Sequence, residues 1–271
     1  MDQLALTGMP RALFRAAPAR LTTWLDCPRR YRFCYVDRPP PPKGPAWAHS
    51  SFGTTVHNAL RRWFDVPVPR RTPAVGRALV DDAWIGDGYR DAEQEAAHRE
   101  RARDVVERYV ATLDVHADPP GLERKVAARH GSLALEGRVD RVDRRGDELV
   151  VVDYKTGRAP LRTDDVRGSL ALAIYATAAA STLRAPCRTV ELHQVTTGEV
   201  HSFTHTDDSL QRHLRRAEAI AEEIRAAAES GDYPARPGSA CQWCDFVRSC
   251  PEGRARVPSI PAPWAALPAT A

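Results

Sequence analysis

Lysine is almost missing from this sequence. Of its 39 basic residues only Lys43, Lys125 and Lys155 are lysines, which leaves 36 arginines. Each lysine therefore marks a place where a compact ammonium stands instead of a planar, permanently charged guanidinium. No apolar run approaches the length of a membrane span, so a membrane protein is not expected. Residues 1–15 show no apolar h-region followed by a small-residue cleavage site, which points away from export and toward the cytoplasm. A G-x4-G-K-S/T phosphate loop is lacking, so an ATP-driven motor would have to be a separate partner. Internal repeats are absent as well.

What remains is ordinary for a soluble globular chain. At 271 residues, 43% hydrophobic and 27% charged, it can bury one α/β core. A net charge of +4 permits a polyanionic partner without requiring one. Six cysteines in a cytosolic chain argue for metal or cluster ligation over a disulfide framework, where their spacing allows it.

Along the chain, residues 1–20 read as an N-terminal tail, 21–252 as one domain, and 253–271 as a flexible Pro/Ala-rich tail. Residues 21–36 predict two short helical pieces broken at Pro28, with Thr22 or Thr23 as N-cap and Cys27 at the break. A helix beginning near Ser51 carries Val56, Leu60 and Phe64 on one stripe, with His57 beside it. Further helices are predicted over 75–84 and 91–113. After the break at 118–121, β-type runs follow at 122–128, 132–140 and 148–155. A helix at 164–179, strands at 190–196 and 200–204, and a long helix over 208–230 complete the pattern.

The run Leu149-Val150-Val151-Val152 suits a strand buried on both faces, and it leads directly into Asp153-Tyr154-Lys155. Residues two apart share a face, so Asp153 and Lys155 project together at the rim of an apolar core, where an unpaired charge is costly. The preceding run ends in Asp140, and a turn at 144–147 would fold it back so that Asp140 approaches Asp153. Two carboxylates, a backbone carbonyl and waters suit Mg²⁺ or Mn²⁺, and an imidazole such as His57 tilts the preference to Mn²⁺. Lys155 can hold an attacking water and offset charge growing on a phosphate. D-x-K alone also fits a surface ion pair. The buried run before it favours the metal site.

Cys241, Cys244 and Cys250 form C-x2-C-x5-C, and Cys27 or Cys34 must supply a fourth thiolate. Cys27, beside Pro28, is the better placed, and Cys187 reads as a buried cysteine. Zinc and an iron-sulfur cluster are both compatible with four thiolates.

In order along the chain, L-T-T-W-L-D-C-P-R-R-Y, F-G-T-T-V-H-N-A-L, G-R-V-D-R-V-D, V-V-D-Y-K-T-G, Tyr175 and the terminal C-x2-C-x5-C resemble the RecB-like PD-(D/E)XK nucleases. Within that family the similarity is to the CRISPR-associated iron-sulfur exonucleases and AddB-type nuclease domains. The resemblance implies a restriction-endonuclease-like α/β fold, a central mixed sheet flanked by helices, with the two chain ends joined by a 4Fe-4S cluster on Cys27, Cys241, Cys244 and Cys250. It implies His57, Asp140, Asp153 and the Tyr154 carbonyl as metal ligands, Lys155 and Tyr175 as catalytic, and Glu123 as an accessory upstream acid. The activity implied is hydrolysis of DNA, with single-stranded ends as substrate and metal-activated water as nucleophile, in repair, recombination or defence beside a helicase or repair protein. The family usually carries Gln four residues before the tyrosine, where this chain has Ala171. A non-catalytic nucleic-acid-binding scaffold is one competing reading. The other is a redox regulator, since the cysteine spacing also resembles that of WhiB-like proteins.

Overall fold

The computed structural model describes residues 12–265. Its centre is a six-stranded mixed sheet built around β3 (Leu133–Arg145), which is long enough to take three partners. β2 (Gly121–His130) runs antiparallel along one edge of β3, from Val142 back to Leu133. The other edge is shared: β1 (Phe14–Ala16) pairs parallel with Leu133 to Leu135, and β4 (Glu148–Lys155) pairs antiparallel with Arg141 to Arg145. Among the described residues, 136–140 of β3 therefore have no strand partner on that edge. β5 (Cys187–Gln194) continues the sheet parallel to β4, and β6 (Glu199–Thr204) closes it antiparallel.

Helices cover both faces. On one side α3 (Ala48–Asp65), α4 (Pro73–Ala83) and α5 (Ala92–Val110) bury Val56, Leu60, Trp63, Val105 and Tyr109 against Val150, Val152 and Tyr154. On the other, α7 (Leu170–Leu183) packs Leu172, Ala176 and Ala179 onto Val139, Leu149 and Val151. The four valine and leucine positions of β4 thus alternate between two apolar layers, as a doubly covered strand requires. α1 (Pro18–Asp26), α2 (Pro28–Tyr35) and α8 (Asp207–Ser230) enclose a third cluster around Trp24, Tyr31, Leu214 and Ile220.

Several boundaries differ from the sequence reading. Residues 12–20 are not tail: Phe14 and Ala16 are buried around exposed Arg15 in β1, and Pro18 opens α1 at a position where its missing N–H costs nothing. Thr23 consequently lies inside α1, its hydroxyl donating to the Ala19 carbonyl, and does not cap it. The C-terminal stretch is likewise anchored, through α9 (Pro251–Arg256) and through the Pro263 carbonyl, which accepts the Ala48 N–H. The remaining parts of both tails, 1–11 and 266–271, lie outside the described residues. The helix expected over 164–179 is two, α6 (Thr163–Gly168) and α7, because the Ser169 hydroxyl accepts the Leu172 N–H and starts a new helix. Among the described residues no helix is long and apolar enough to cross a membrane.

Candidate metal centre and cysteine cavity

The gap on the edge of β3 is where the acidic residues meet. Arg141 pairs with Val152 on one side and with Leu122 on the other, so one step back Asp140 is level with both Asp153 and Glu123. The β3–β4 ladder stops there. Instead of a backbone carbonyl, Asp140 Oδ2 accepts the Tyr154 N–H at 2.8 Å. β2 and β3 are both distorted at this level. Glu123 has φ of +44°, in the left-handed region that non-glycine residues seldom adopt. Val139 and Val142, three apart, lie in the same apolar layer, so the two-residue alternation of β3 breaks across Asp140.

α3 delivers the imidazole. His57 Nδ1 stands 3.4 Å from Asp140 Oδ1, and ligand atoms of His57, Glu123 and Asp140 lie within 4.8 Å of one another. Asp153 is not in that trio. Its Oδ2 lies 2.5 Å from Lys155 Nζ, yet it is shielded from solvent and has no well-aligned hydrogen-bond donor. The ion pair that D-x-K alone fits is thus present, but on a largely enclosed carboxylate.

Electrostatics show that this cluster lacks positive charge. Burial raises the Asp153 carboxyl, and the Asp140 charge adds to that against the pull of Lys155. Glu123 is raised by burial and again by Asp140. Burial pulls His57 down, but the Asp140 hydrogen bond and the charges of Asp140, Asp153 and Glu123 outweigh it and hold the imidazole above its ordinary value. Tyr175, on α7, is pushed up to about 12 by burial, with the same three acids adding to the shift. Three mutually repelling carboxylates, an imidazole and an orphaned carboxylate oxygen form an oxygen-rich donor set that fits a divalent cation. His57, Asp140, Glu123 and, on turning from Lys155, Asp153 are the side chains able to hold one.

Other residues build the site without a conspicuous motif. Any Cβ on Gly137 would collide with the Tyr175 ring, so this glycine lets α7 approach β3. An isolated glycine within a strand pattern was the available signal. A Cβ on Gly53 would come 3.0 Å from the Thr156 hydroxyl, so α3 closes tightly on the end of β4. Gln194 donates to the carbonyls of Gly157 at 2.9 Å and Ala159 at 3.1 Å, fixing the loop after Lys155. Behind the site, buried Arg141 bonds the Tyr154 hydroxyl at 3.0 Å and pairs with Asp143 at 2.8 Å.

The sequence profile of the PD-(D/E)XK nuclease superfamily matches residues 15–251. The chain belongs to that superfamily. A comparison with curated proteins finds no match. Among solved structures, this nuclease is similar to a candidate exonuclease from Eubacterium rectale, with 12% identity, 92% of this chain and 94% of that chain covered, and a TM-score of 0.54. At that identity the likeness is one of fold.

In this nuclease a second constellation lies at the junction of the chain ends. Cys27, Cys241, Cys244 and Cys250 line one cavity, together with Phe33, Phe246, Val247 and Gly253. Cys34 is not among the lining residues, and buried Cys187 is far off in β5, its thiol pushed up to about 12 by burial. Three of the cavity sulfurs accept backbone N–H groups: Cys27 from Arg236 at 3.4 Å, Cys241 from Gly238 at 3.4 Å, and Cys250 from Gly253 at 3.3 Å. Burial raises the thiols of Cys244 and Cys250, so thiolates here need a compensating cation.

Proposed function

We propose that this nuclease is a divalent-metal-dependent DNA exonuclease acting on single-stranded ends, in the cytoplasm, beside a separate helicase or repair protein. The observation that carries this reading is the gathering of His57, Glu123 and Asp140 around one point, with Asp153 level with Asp140 on the adjacent strand and paired with Lys155. A bound Mg²⁺ or Mn²⁺ would supply Lewis acidity and make water a competent nucleophile near neutral pH. Asp140 is positioned by the Tyr154 N–H on Oδ2, so its second oxygen, Oδ1, faces His57 and would be the one to hold an ion. The Tyr154 carbonyl is the backbone ligand of the proposed set.

Lys155 has a separate task. Its ammonium, about half exposed, donates to the attacking water and offsets charge growing on the phosphate oxygens. Tyr175 keeps its proton at neutral pH and can donate to a phosphate oxygen or to a carboxylate ligand.

For the cysteine cavity we propose a 4Fe-4S cluster. Four cysteines drawn from both ends of the chain line one cavity, which supports a single group bound by all four. Backbone N–H groups donating to cysteine sulfurs are the hydrogen bonds that tune such clusters.

The experiment is a cleavage assay on end-labelled single- and double-stranded DNA with anaerobically purified protein and Mg²⁺ or Mn²⁺. Stepwise shortening of single strands, abolished by a chelator, is the expected result. Nucleic-acid binding without cleavage under any divalent metal would instead favour a non-catalytic scaffold.

A further inference from the structure

Aromatic rings gather at the outer end of α3. Trp243, in the 3-10 turn between Cys241 and Cys244, is the one large aromatic counted as exposed among the described residues, at 38%. Trp47, at the N-cap of α3, meets it edge-on at 5.4 Å, and His49 meets it at 6.4 Å. Trp47 is itself pinned by its indole N–H to Asp245 at 3.3 Å, so Trp243 is braced by fixed neighbours while its own ring faces solvent. One turn further along α3, at Phe52, lies unmatched positive charge. The half-buried Arg101 of α5 stacks its guanidinium on Phe52 of α3 at 5.4 Å. Arg108 is seven residues further along α5, hence on the same stripe, and Arg158 lies in the loop that follows Lys155. Both are near enough to repel Arg101, and among the described residues none of the three has an ion-pair partner.

These features form a line toward the metal centre. His49, Gly53 and His57 follow each other at four-residue spacing on one stripe of α3. The eight residues from His49 to His57 cover about 12 Å, the length of three or four stacked nucleotides at about 3.4 Å each. Phe52, with Arg101 over it, stands between the two histidines in sequence, and Gly53 packs so near Thr156, two residues before Arg158, that an added Cβ would come 3.0 Å from its hydroxyl. An exposed ring on a rigid base is the feature that binds unpaired bases, because a base in a duplex has its faces already stacked. Phosphates account for unpaired arginines.

We propose that this is the entry track for a single strand: a base stacks on Trp243, and the following phosphates are held by Arg101 and Arg158 before the chain reaches His57, Asp140, Asp153 and Lys155. This rests on the nuclease reading above and adds to it a determinant of selection for single strands. Trp243 is a substrate-binding residue on this account, and the cysteine turn that carries it becomes part of the binding surface.

The test is binding of fluorescein-labelled oligo-dT and of a matched duplex, measured by anisotropy on the cluster-loaded protein with Ca²⁺ to prevent cleavage. W243A should raise Kd for oligo-dT between about five-fold and about a hundred-fold while leaving duplex affinity within about two-fold. R158A should lower the slope of log affinity against log salt by about 0.7 for the single strand, the signature of one lost phosphate contact. Should W243A not fold, wild-type protein still decides: 2-aminopurine placed singly along the oligonucleotide should be quenched on binding at one position, three or four nucleotides from the cleaved bond. Unchanged oligo-dT affinity in folded W243A, equal losses for duplex and single strand, an unchanged salt slope in R158A, or no quenching at any position would overturn the track. The nuclease reading fails separately. Wild-type binding of this kind without cleavage in Mg²⁺ or Mn²⁺ would sink that reading and leave the track standing.

Discussion

The Asp140 carboxylate takes the place of a backbone carbonyl, accepting the Tyr154 N–H at the level where β4 leaves β3. Asp140 thus has two functions, one per oxygen. D140N keeps an acceptor for Tyr154 and should remain close to wild type in thermal stability, while losing more than about a hundred-fold in cleavage rate because a neutral amide is a poor ligand for a divalent ion. D140A should lose activity equally and also about 1–3 kcal/mol of stability from the unpaired N–H. Thermal melts beside rate measurements check this. Equal stability of D140A and D140N would show that the hydrogen bond is not structural.

Asp153 and Lys155 should separate stability from activity in the opposite direction. The Asp153 carboxyl is raised by burial and by Asp140, so in the metal-free protein D153N relieves repulsion and should melt no lower than wild type. Its cleavage should fall below detection. K155R preserves the charge and should still be inactive, because the guanidinium is larger and planar where a compact donor stands 2.5 Å from Asp153. Cleavage by K155R at wild-type rate would remove the argument that lysine is required here.

Asp143 follows Asp140 by three residues on β3. It is outside the site, but it pairs with Arg141, whose side chain is 5% exposed. D143A leaves that guanidinium buried without its carboxylate and should cost about 3–5 kcal/mol of stability. Cleavage per folded molecule should fall far less than in D140A. Denaturant unfolding with activity titrated against the folded fraction distinguishes the two effects.

What could be read in the sequence was what has a local period or a fixed spacing. β4 lies where the run from Glu148 to Lys155 placed it, because four consecutive apolar residues facing two layers leave few alternatives. α8 and the C-x2-C-x5-C turn were legible for the same reason. β1 was not: three residues carry no period, and Phe14 and Ala16 are strand only because Leu133 to Leu135 offer an edge. Nor could the grouping of His57 with Glu123 and Asp140, leaving Asp153 on Lys155, be foreseen, since it depends on a left-handed Glu123 and a broken alternation in β3. Arg101 and Gln194 likewise take their meaning from elements distant in sequence.

The pH dependence of stability should carry the mark of Glu191. Burial alone would raise this carboxyl, but hydrogen bonds from His193 at 2.9 Å and from Arg145 at 2.7 and 2.9 Å overcome it and set it at about 2. The unfolded chain, with an ordinary glutamate, takes up its proton first as pH falls. The contribution of Glu191 is therefore complete above about pH 4.5 and is lost progressively between there and about pH 2. E191Q should be less stable than wild type at neutral pH, with the difference shrinking across that window. A constant difference from pH 7 to pH 2 would show that Glu191 is not held ionised by its partners.

The cysteine cavity makes the last prediction, because Cys27 belongs to the α1–α2 junction and Cys241, Cys244 and Cys250 to the turns before α9, more than two hundred residues away in sequence. A group bound to all four closes that loop in the folded state alone, so its binding free energy adds to folding. Local packing is thin. Phe33, Phe246 and Cys250 form their own small apolar cluster, separate from the three clusters of the main core. Anaerobically purified protein should be brown, and C27A and C244A should lose colour, iron and thermal stability together, with cleavage falling as a consequence. C187A should keep all of these, since that thiol is buried in β5 against α7 and lines no part of the cavity. C34A should also keep its iron, which tests the choice of Cys27 over Cys34 directly. A colourless wild type with one zinc per chain would replace the cluster by an ion and retain the staple. Iron loss in C27A with melting and cleavage unchanged would remove the staple as well and leave the cysteines to a redox role.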